Sequence, residues 1–553
     1  MTSGGLPLLR SPPYPGVRTD VAAISAFTIS PMPSPDDNLE AVVTAIREAR
    51  VGGSFWAPSP PVPSEPAIVV RAERQRDVVA SLRRFAAERD RLIILVPKTR
   101  WARKAQAACR RAGVATARGD VDPWPLLVHA RLLLAHPGDE WLLLATILRV
   151  PAETLAEPLP LPDLQHALLG SVRYRDPYDG GVADALKAVA QLAFWRHLLD
   201  ANRAIGAAAG ISWWKRGRIA AFLWTGRRTP LRFTHDAAKA VRAAKKEGGG
   251  VAVWPARTPQ GLREEATAAS VPVARIEDGF VRSIGLGSNF HLPYSIVVDR
   301  RGVYFDPSGP SDLETLLAET DFTPDLLTRA ERLALALVAN RISKYGVAEA
   351  NDSWPQRSGR KLVLVAGQVE DDLSVATGGA GVAGNLDLLR RARAAEPDAE
   401  IWFRPHPDVE AGHRIGRVAD EEALAYADHV VRGGTAIAAV EQVDAVHVLT
   451  SLIGFEALLR GKPVVTHGQP FYAGWGLTTD LAPPVARRGR PLALAALIAG
   501  ALILYPRYLD PSTDLPCPPE VLLARFATGA RPRMTPLILL RTLQGRIARR
   551  LSR

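Results

Sequence analysis

The sequence predicts an α/β protein: two Rossmann-type strand–helix sets facing a cleft, preceded by a partial α/β duplicate. Three observations predict it. Short apolar runs of strand length alternate with helix-like stretches along most of the chain. One run, Val271 to Ile276, delivers two adjacent acids, Glu277 and Asp278, onto Gly279, with Ser283, Gly285 and Gly287 following. Acids at a strand end that loosens into glycines suit the carboxyl rim of an α/β sheet, where ligands bind. Taken alone, Asp278 reads more readily as a helix cap, and the later motifs reverse that. The third observation is an internal echo between the two halves of the chain.

At 553 residues the chain exceeds one core, so several domains are expected. Its 47% hydrophobic and 23% charged content is that of a globular protein. No uninterrupted apolar run reaches the ~20 residues of a membrane span. The opening MTSGGLPLLRSPPYPG, broken by prolines, does not read as a signal peptide. Two cysteines, Cys109 and Cys517, make no disulfide framework and fit a reducing cytosol. No Cys/His cluster has zinc spacing, so no metal is expected. A net charge of +12 points to an anionic partner. Basic residues are not interleaved with aromatics along a strand, which argues against nucleic acid.

Residues 1–36, rich in Pro, Ser and Gly, predict an irregular lead-in, and 37–50 a helix. Ala67–Val70 and Leu92–Val96 read as buried strands beside Arg-rich helices, in parallel βαβ units. Ser212–Trp224, SWWKRGRIAAFLW, reads as a connector helix between two halves. Beyond it, Val251–Trp254, Val271–Ile276, Ser295–Asp299, Lys361–Ala366, Glu400–Arg404, Ala445–Leu449 and Pro463–Thr466 read as strands. Asp312–Leu317, Pro324–Asn340 and Leu386–Ala395 read as helices. The tail 531–553 places Leu540, Leu543, Ile547 and Leu551 on one helical face with arginines largely off it, a pattern for an anionic membrane surface.

The echo pairs Arg173-Tyr174-Arg175-Asp176-Pro177 with Arg507-Tyr508-Leu509-Asp510-Pro511, each downstream of an apolar helix ending at Pro151 or Pro463. Laying Pro151 on Pro463 sets Thr450 and Ser451 opposite Gly138 and Asp139, and Glu456 opposite Leu144. The first copy keeps the apolar frame and loses the polar groups. It has no EDG of its own, and its His136-Pro137 falls elsewhere in the unit. Residues 37–205 thus read as a truncated, degenerate module.

Four elements of the second half carry chemistry. The first is the Glu277–Gly279 turn. The second is Arg404-Pro405-His406-Pro407, a strand end whose prolines stiffen an imidazole beside a cation, suited to a phosphate. The third is Thr450-Ser451 followed by a helix near Gly454, with Glu456 in its first turn: hydroxyls and amides for an anion, a carboxylate for a ribose. The fourth is a glycine-aromatic loop, Gly468–Thr478 with Gly474 and Trp475, which either frames a ring or packs as an Ω-loop.

EDGFVRSIGLG, VVDRRGVYFDPSGPSDLE, AGQVEDDLSV, RPHPDV, TSLIGFEALLRGKPVVTHGQPFYAGWGLTTD and LYPRYLDP together resemble the bacterial capsular-polysaccharide β-Kdo transferases of the KpsC type, over nearly all of residues 210–525. VDPWPLL and RYRDPYDGG in the first half resemble the end of that family's first module. Such proteins carry two modules; here the first lacks the EDGF and HP segments, which implies a single active one. The resemblance implies a GT-B-like fold, with 206–345 the acceptor-side half and 346–530 the nucleotide-binding half. It implies a retaining transferase that moves β-Kdo from CMP-Kdo to a lipid-linked Kdo oligosaccharide acceptor in capsular polysaccharide biosynthesis. It further implies a cytoplasmic protein peripheral on the inner-membrane surface, beside other capsule assembly proteins.

Carried over by motif, Asp278 is the nucleophile, with a general base as its fallback role, and Glu277 the second-choice acid/base. His406 and Arg404 hold the CMP phosphate, where the family often carries a lysine for Arg404. Thr450, Ser451 and Gly454 bind the same phosphate, and Glu456 the ribose. Arg282, Ser283, Gln368, Asp371, Asp372, Gly474 and Trp475 are candidate sugar or acceptor contacts. No cofactor beyond the donor is implied. Three alternatives stand beside this reading: a non-catalytic assembly or export subunit, a transferase for another CMP-activated keto-acid sugar, and a glycoside hydrolase. For a hydrolase, adjacent acids on an extended strand flank a bond poorly.

Overall fold

The computed structural model describes residues 7–15, 38–60, 62, 67–155, 160, 163–170, 172–227, 229–283, 291–344, 346–347, 354–412 and 414–529. Gly285, Gly287, most of the lead-in and the 531–553 tail lie outside them. The chain forms two compact units that divide between Ala204 and Ile205, with Leu223–Leu231 and Thr513–Leu515 grouped with the first.

The main sheet of the first unit holds five strands: β1 (Ala67–Arg71), β2 (Leu92–Val96), β3 (Ala115–Arg118), β4 (Ala130–Ala135) and β5 (Ala152–Thr154). They lie in the order β3-β2-β1-β4-β5, all parallel. The runs AIVV and LIILV are fully buried because helices cover both faces of such a sheet. Trp141, Trp195, Leu126 and Leu144 belong to the core on one face, and Cys109, Val78 and Phe85 to that on the other.

The second unit contains two large sheets, the GT-B-like arrangement, and a two-stranded ribbon of Ile342–Ser343 and Gly346–Val347. In the first, Ile205–Ala209, Arg232–Thr234, Gly250–Val253 and Val273–Asp278 run parallel, with Ile205–Ala209 between Arg232–Thr234 and Gly250–Val253. Ser295–Asp299 returns antiparallel against Val273–Asp278. The late strand Pro506–Leu509 pairs antiparallel beyond it. The second sheet is all parallel, in the order His429–Val430, Glu400–Arg404, Leu362–Ala366, Ala445–Val448, Val464–Thr466, Thr479–Asp480.

The first unit therefore repeats the strand order of that second sheet, and the duplication reaches individual bonds. Asp139 caps the helix Glu140–Leu148 after β4, accepting from the Trp141 amide; Ser451 caps Leu452–Leu458 after Ala445–Val448, accepting from the Ile453 amide. Tyr174 Oη donates to Leu168 O at 3.0 Å and Tyr508 Oη to Leu502 O at 2.7 Å, both onto a π-helical turn. Asp176 and Asp510 each accept the amide two residues on, from Tyr178 and Ser512.

Ser212–Trp224 is not a connector helix. It is a 3-10 turn, Trp213–Lys215, running into a short helix, Arg216–Phe222, that follows the strand Ile205–Ala209 inside the second unit. The apolar periodicity that suggests a connector is the burial of Ile219 and Phe222.

Candidate active site

The strand Val273–Asp278 runs two residues further than expected, so both acids are strand residues. Glu277 is in register with Val297 and Asp278 with Ile296. Gly279 is required by close approach: a Cβ there would collide with the Ser295 side chain, whose Oγ donates to Val281 O at 2.5 Å.

Asp278 is held by two cations. Arg282 Nε donates to its Oδ2 at 2.6 Å, and Lys215 Nζ lies 3.6 Å from its Oδ1. Oδ1 is buried and accepts no hydrogen bond among the described residues. Burial pushes the Asp278 carboxyl up, but Arg282, Lys215 and Lys344 outweigh it and hold the group below its ordinary value, so it stays ionised. Glu277 goes the other way. Burial first, and then the Asp278 charge, push it up to about 7. Its Oε1 accepts the Asp278 amide at 3.0 Å. Neighbouring carboxylates driven apart in this way are the usual physical signature of an acid/base and an anion with separate tasks.

The second group of residues gathers where the order of the all-parallel sheet reverses, between Leu362–Ala366 and Ala445–Val448. Gln368, just past the first of these, clasps Thr450, just past the second. Its Oε1 accepts the Thr450 amide at 2.7 Å, and its Nε2 donates to Thr450 Oγ1 at 2.9 Å. Ser374 lies 3.3 Å from the same hydroxyl and donates to Asp372 Oδ1 at 2.7 Å. His406 follows the neighbouring strand Glu400–Arg404. Its Nδ1 accepts the Asp408 amide, and burial lowers its pKa, so the neutral ring carries its proton on Nε2.

Several expected contacts take other partners. Arg404 gives both terminal nitrogens to backbone, Gly433 O and Gly434 O at 2.7 Å each, and so braces a loop instead of presenting a free cation. Glu456, expected at a ribose, is buried and accepts the Lys344 amide at 3.1 Å. Gly454 is explained by Tyr472, whose ring leaves no room for a Cβ. Trp475 is 1% exposed and bonds Phe471 O, and the Gly474 amide goes to Asp480, so the aromatic loop packs in the manner of an Ω-loop. Arg282 and Ser283 are buried too, with Arg282 Nη1 on Ser283 Oγ. Asp371 is paired with Arg414 at 3.1 Å.

Three residues that the sequence reading passed over belong to the site. Lys215 comes from the tryptophan-rich turn and sits on the Trp254 ring, 3.6 Å from its centroid. The Lys344 carbonyl accepts the amides of Arg282 and Ser283, and its own amide bonds Glu456, so this residue ties the acid-bearing strand to the second sheet. The Tyr304 ring packs edge-on to Phe280 at 4.8 Å. A lysine directly after two tryptophans was the one available signal. Among the described residues no group of His, Cys, Asp and Glu has metal-holding geometry.

The first unit carries a cavity of about 450 Å³ at the carboxyl ends of its strands, lined by Arg71, Lys98, Gly119 and Asp139 among others. Pro97-Lys98 follows β2 there as Pro405-His406 follows Glu400–Arg404. Arg71 pairs with Asp139 at 2.9 Å. With an acid at the cap that Ser451 occupies in the second unit, a phosphate would meet a carboxylate, which fits the reading of a degenerate copy.

The model of the family described as capsule polysaccharide biosynthesis protein matches residues 250–356 and 330–508. The chain is 39% identical over 347 residues to the capsule polysaccharide modification protein LipA of Neisseria meningitidis serogroup B, covering 63% of this chain and 49% of that protein. It is 43% identical over 261 residues to the lipopolysaccharide-processing protein LpsZ of Rhizobium meliloti, covering 46% of this chain and 58% of that one. The chain thus spans about half the length of these curated relatives. Among solved structures, the β-Kdo 2,4 transferase of Thermosulfurimonas dismutans KpsC superposes with a TM-score of 0.51 at 30% identity, over 58% of this chain and 98% of that chain.

Proposed function

The chain belongs to the KpsC-type family of capsule polysaccharide biosynthesis proteins, and from that premise we propose that it is a retaining glycosyltransferase moving β-Kdo from CMP-Kdo to a lipid-linked Kdo oligosaccharide. The observation that carries the chemistry is the state of Asp278: an ionised carboxylate with one oxygen fixed by Arg282 and the other free of hydrogen bonds.

In the proposed reaction Asp278 Oδ1 attacks the anomeric carbon of the donor. The bond from that carbon to the phosphate oxygen breaks, its electron pair leaves with CMP, and a glycosyl ester forms. The acceptor hydroxyl then attacks the same carbon from the vacated face. Its proton passes to Glu277, whose carboxylate folds back onto the Asp278 amide and stays under the Asp278 and Lys215 charges despite the strand alternation, the bond to Oδ1 breaks, and Asp278 is restored as a carboxylate. Two inversions retain the β configuration. His406, through Nε2–H, and the Thr450 hydroxyl receive the departing phosphate. CMP is already a good leaving group, so no metal is required. The acceptor's lipid places the work at the inner-membrane surface, and the net charge of +12 suits an anionic leaflet.

Intact-protein mass after incubation with CMP-Kdo, with CMP release followed in parallel, tests the proposal in wild type and D278A. A mass gain of one Kdo with CMP release in wild type alone is the expected result. No adduct and no CMP release, even with a Kdo-lipid acceptor present, would refute it.

A further inference from the structure

Lys215 stands in an unusual position for a counter-ion. Asp278 already has a close partner in Arg282, which fixes Oδ2 at 2.6 Å. Lys215 approaches the other oxygen, Oδ1, but stops 3.6 Å away, too far for a hydrogen bond. It is anchored instead on the face of Trp254, 3.6 Å from the ring centroid, with its side chain only 12% exposed. A desolvated ammonium held beside, and not on, the hydrogen-bond-free oxygen of a buried carboxylate has donors left for a second anion.

The charge balance points the same way. Arg282 and Lys215 both bear on Asp278, and its neighbour Glu277, pushed up to about 7, carries only part of a charge near neutrality. A buried surplus of positive charge costs free energy unless an anion completes it. In a 2-keto acid sugar the carboxylate is bonded to the very carbon that Oδ1 would attack. Two carboxylates converging on one carbon repel strongly in a site that excludes water, and a cation between them removes the obstacle.

We infer that Lys215 is the specificity-determining residue of the donor site, its ammonium bridging Asp278 Oδ1 and the carboxylate on the anomeric carbon of the donor sugar. The inference rests on the transferase reading and deepens it. Lys215 selects acidic keto-sugar donors over neutral ones, and Trp254 sets its height.

The test uses the full chain and three ligands: CMP alone, and a CMP-linked ulosonate analogue with a hydrolysis-resistant bridge, prepared as the free acid and as its carboxamide. Wild type binds the acid about 10- to 100-fold more tightly than the amide. Lys215→Met keeps the apolar stem against Trp254, binds acid and amide alike, and binds CMP as wild type does, which shows an intact fold. Lys215→Arg restores part of the preference. A preference for the acid that survives in Lys215→Met overturns the inference. So does equal binding of acid and amide by a wild-type chain that releases CMP from CMP-Kdo, and in that case the donor reading stands. Failure of wild type both to bind either analogue and to release CMP overturns the donor reading and the inference together.

Discussion

Arg282 Nε lies 2.6 Å from Asp278 Oδ2, with Arg282 2% exposed and its Nη1 bonded to Ser283 Oγ at 2.7 Å. The guanidinium is thus fixed from its far side, and the carboxylate is oriented by a group that cannot move away. Removing Arg282 leaves a buried charge with a more distant partner. Arg282→Met is expected to raise the Asp278 pKa and shift the acid limb of the rate profile to higher pH. Asp278→Asn is expected to lower kcat about 10³-fold or more. Initial rates of CMP release between pH 4 and 9 check both.

Glu277, pushed up to about 7, gives the rate an inflection near neutrality. It also makes stability pH-dependent. A carboxyl whose folded pKa lies above its unfolded value binds the proton more tightly when folded. Its contribution is therefore full below about pH 4.3 and is lost as pH rises through 7. Glu277→Gln is expected to remove the rate inflection and to raise Tm relative to wild type at pH 8 but not at pH 4. Thermal melts at the two values decide it.

His406 is expected to act through Nε2–H on the departing phosphate. His406→Ala should cost about 10²- to 10³-fold in kcat, the scale of one lost preorganised donor. Arg404→Met should act mainly on stability, because its guanidinium braces Gly433 and Gly434. Kinetics and chemical denaturation of the two variants separate these effects.

His447 and His467 face each other at 3.1 Å in the interior, Nδ1 to Nε2, and burial lowers both to about 4. A histidine depressed on folding contributes stability above its unfolded pKa, near 6.5, and loses it as pH falls through the folded value. Wild-type Tm is expected to fall between pH 6.5 and 4, and His467→Gln to flatten that fall. A pH series of melts measures it.

Glu314 takes Arg488 Nε at 3.0 Å and Arg487 Nε at 2.6 Å, with Glu314 and Arg488 both buried. Arg488→Ala leaves an acid with half its neutralisation and is expected to destabilise the fold by about 3–5 kcal/mol. Urea denaturation reads the loss directly.

The strands were legible because burial writes itself into composition: LIILV, SIVVD and EIWFR occupy the strands expected of them to the residue. The duplicate was legible from Arg173–Pro177 and Arg507–Pro511, short motifs whose Tyr and Asp make the same local bonds in both copies. Asp278, Glu277 and His406 were legible as strand-end residues, because acids running onto Gly279 and an imidazole set between two prolines are local signals. Other features were decided only in three dimensions. Lys215 reaches Asp278 from 63 positions earlier in the sequence, after three strands have paired side by side. Arg404 turns to Gly433 and Gly434, and Trp475 into the core, although each reads in sequence as a ligand contact. The physical reason is the same throughout. Local sequence sets periodicity, caps and strand ends, which depend on near neighbours. The partner of a long side chain is chosen among groups distant in the chain, and that choice exists only once the sheets bring them within hydrogen-bonding reach.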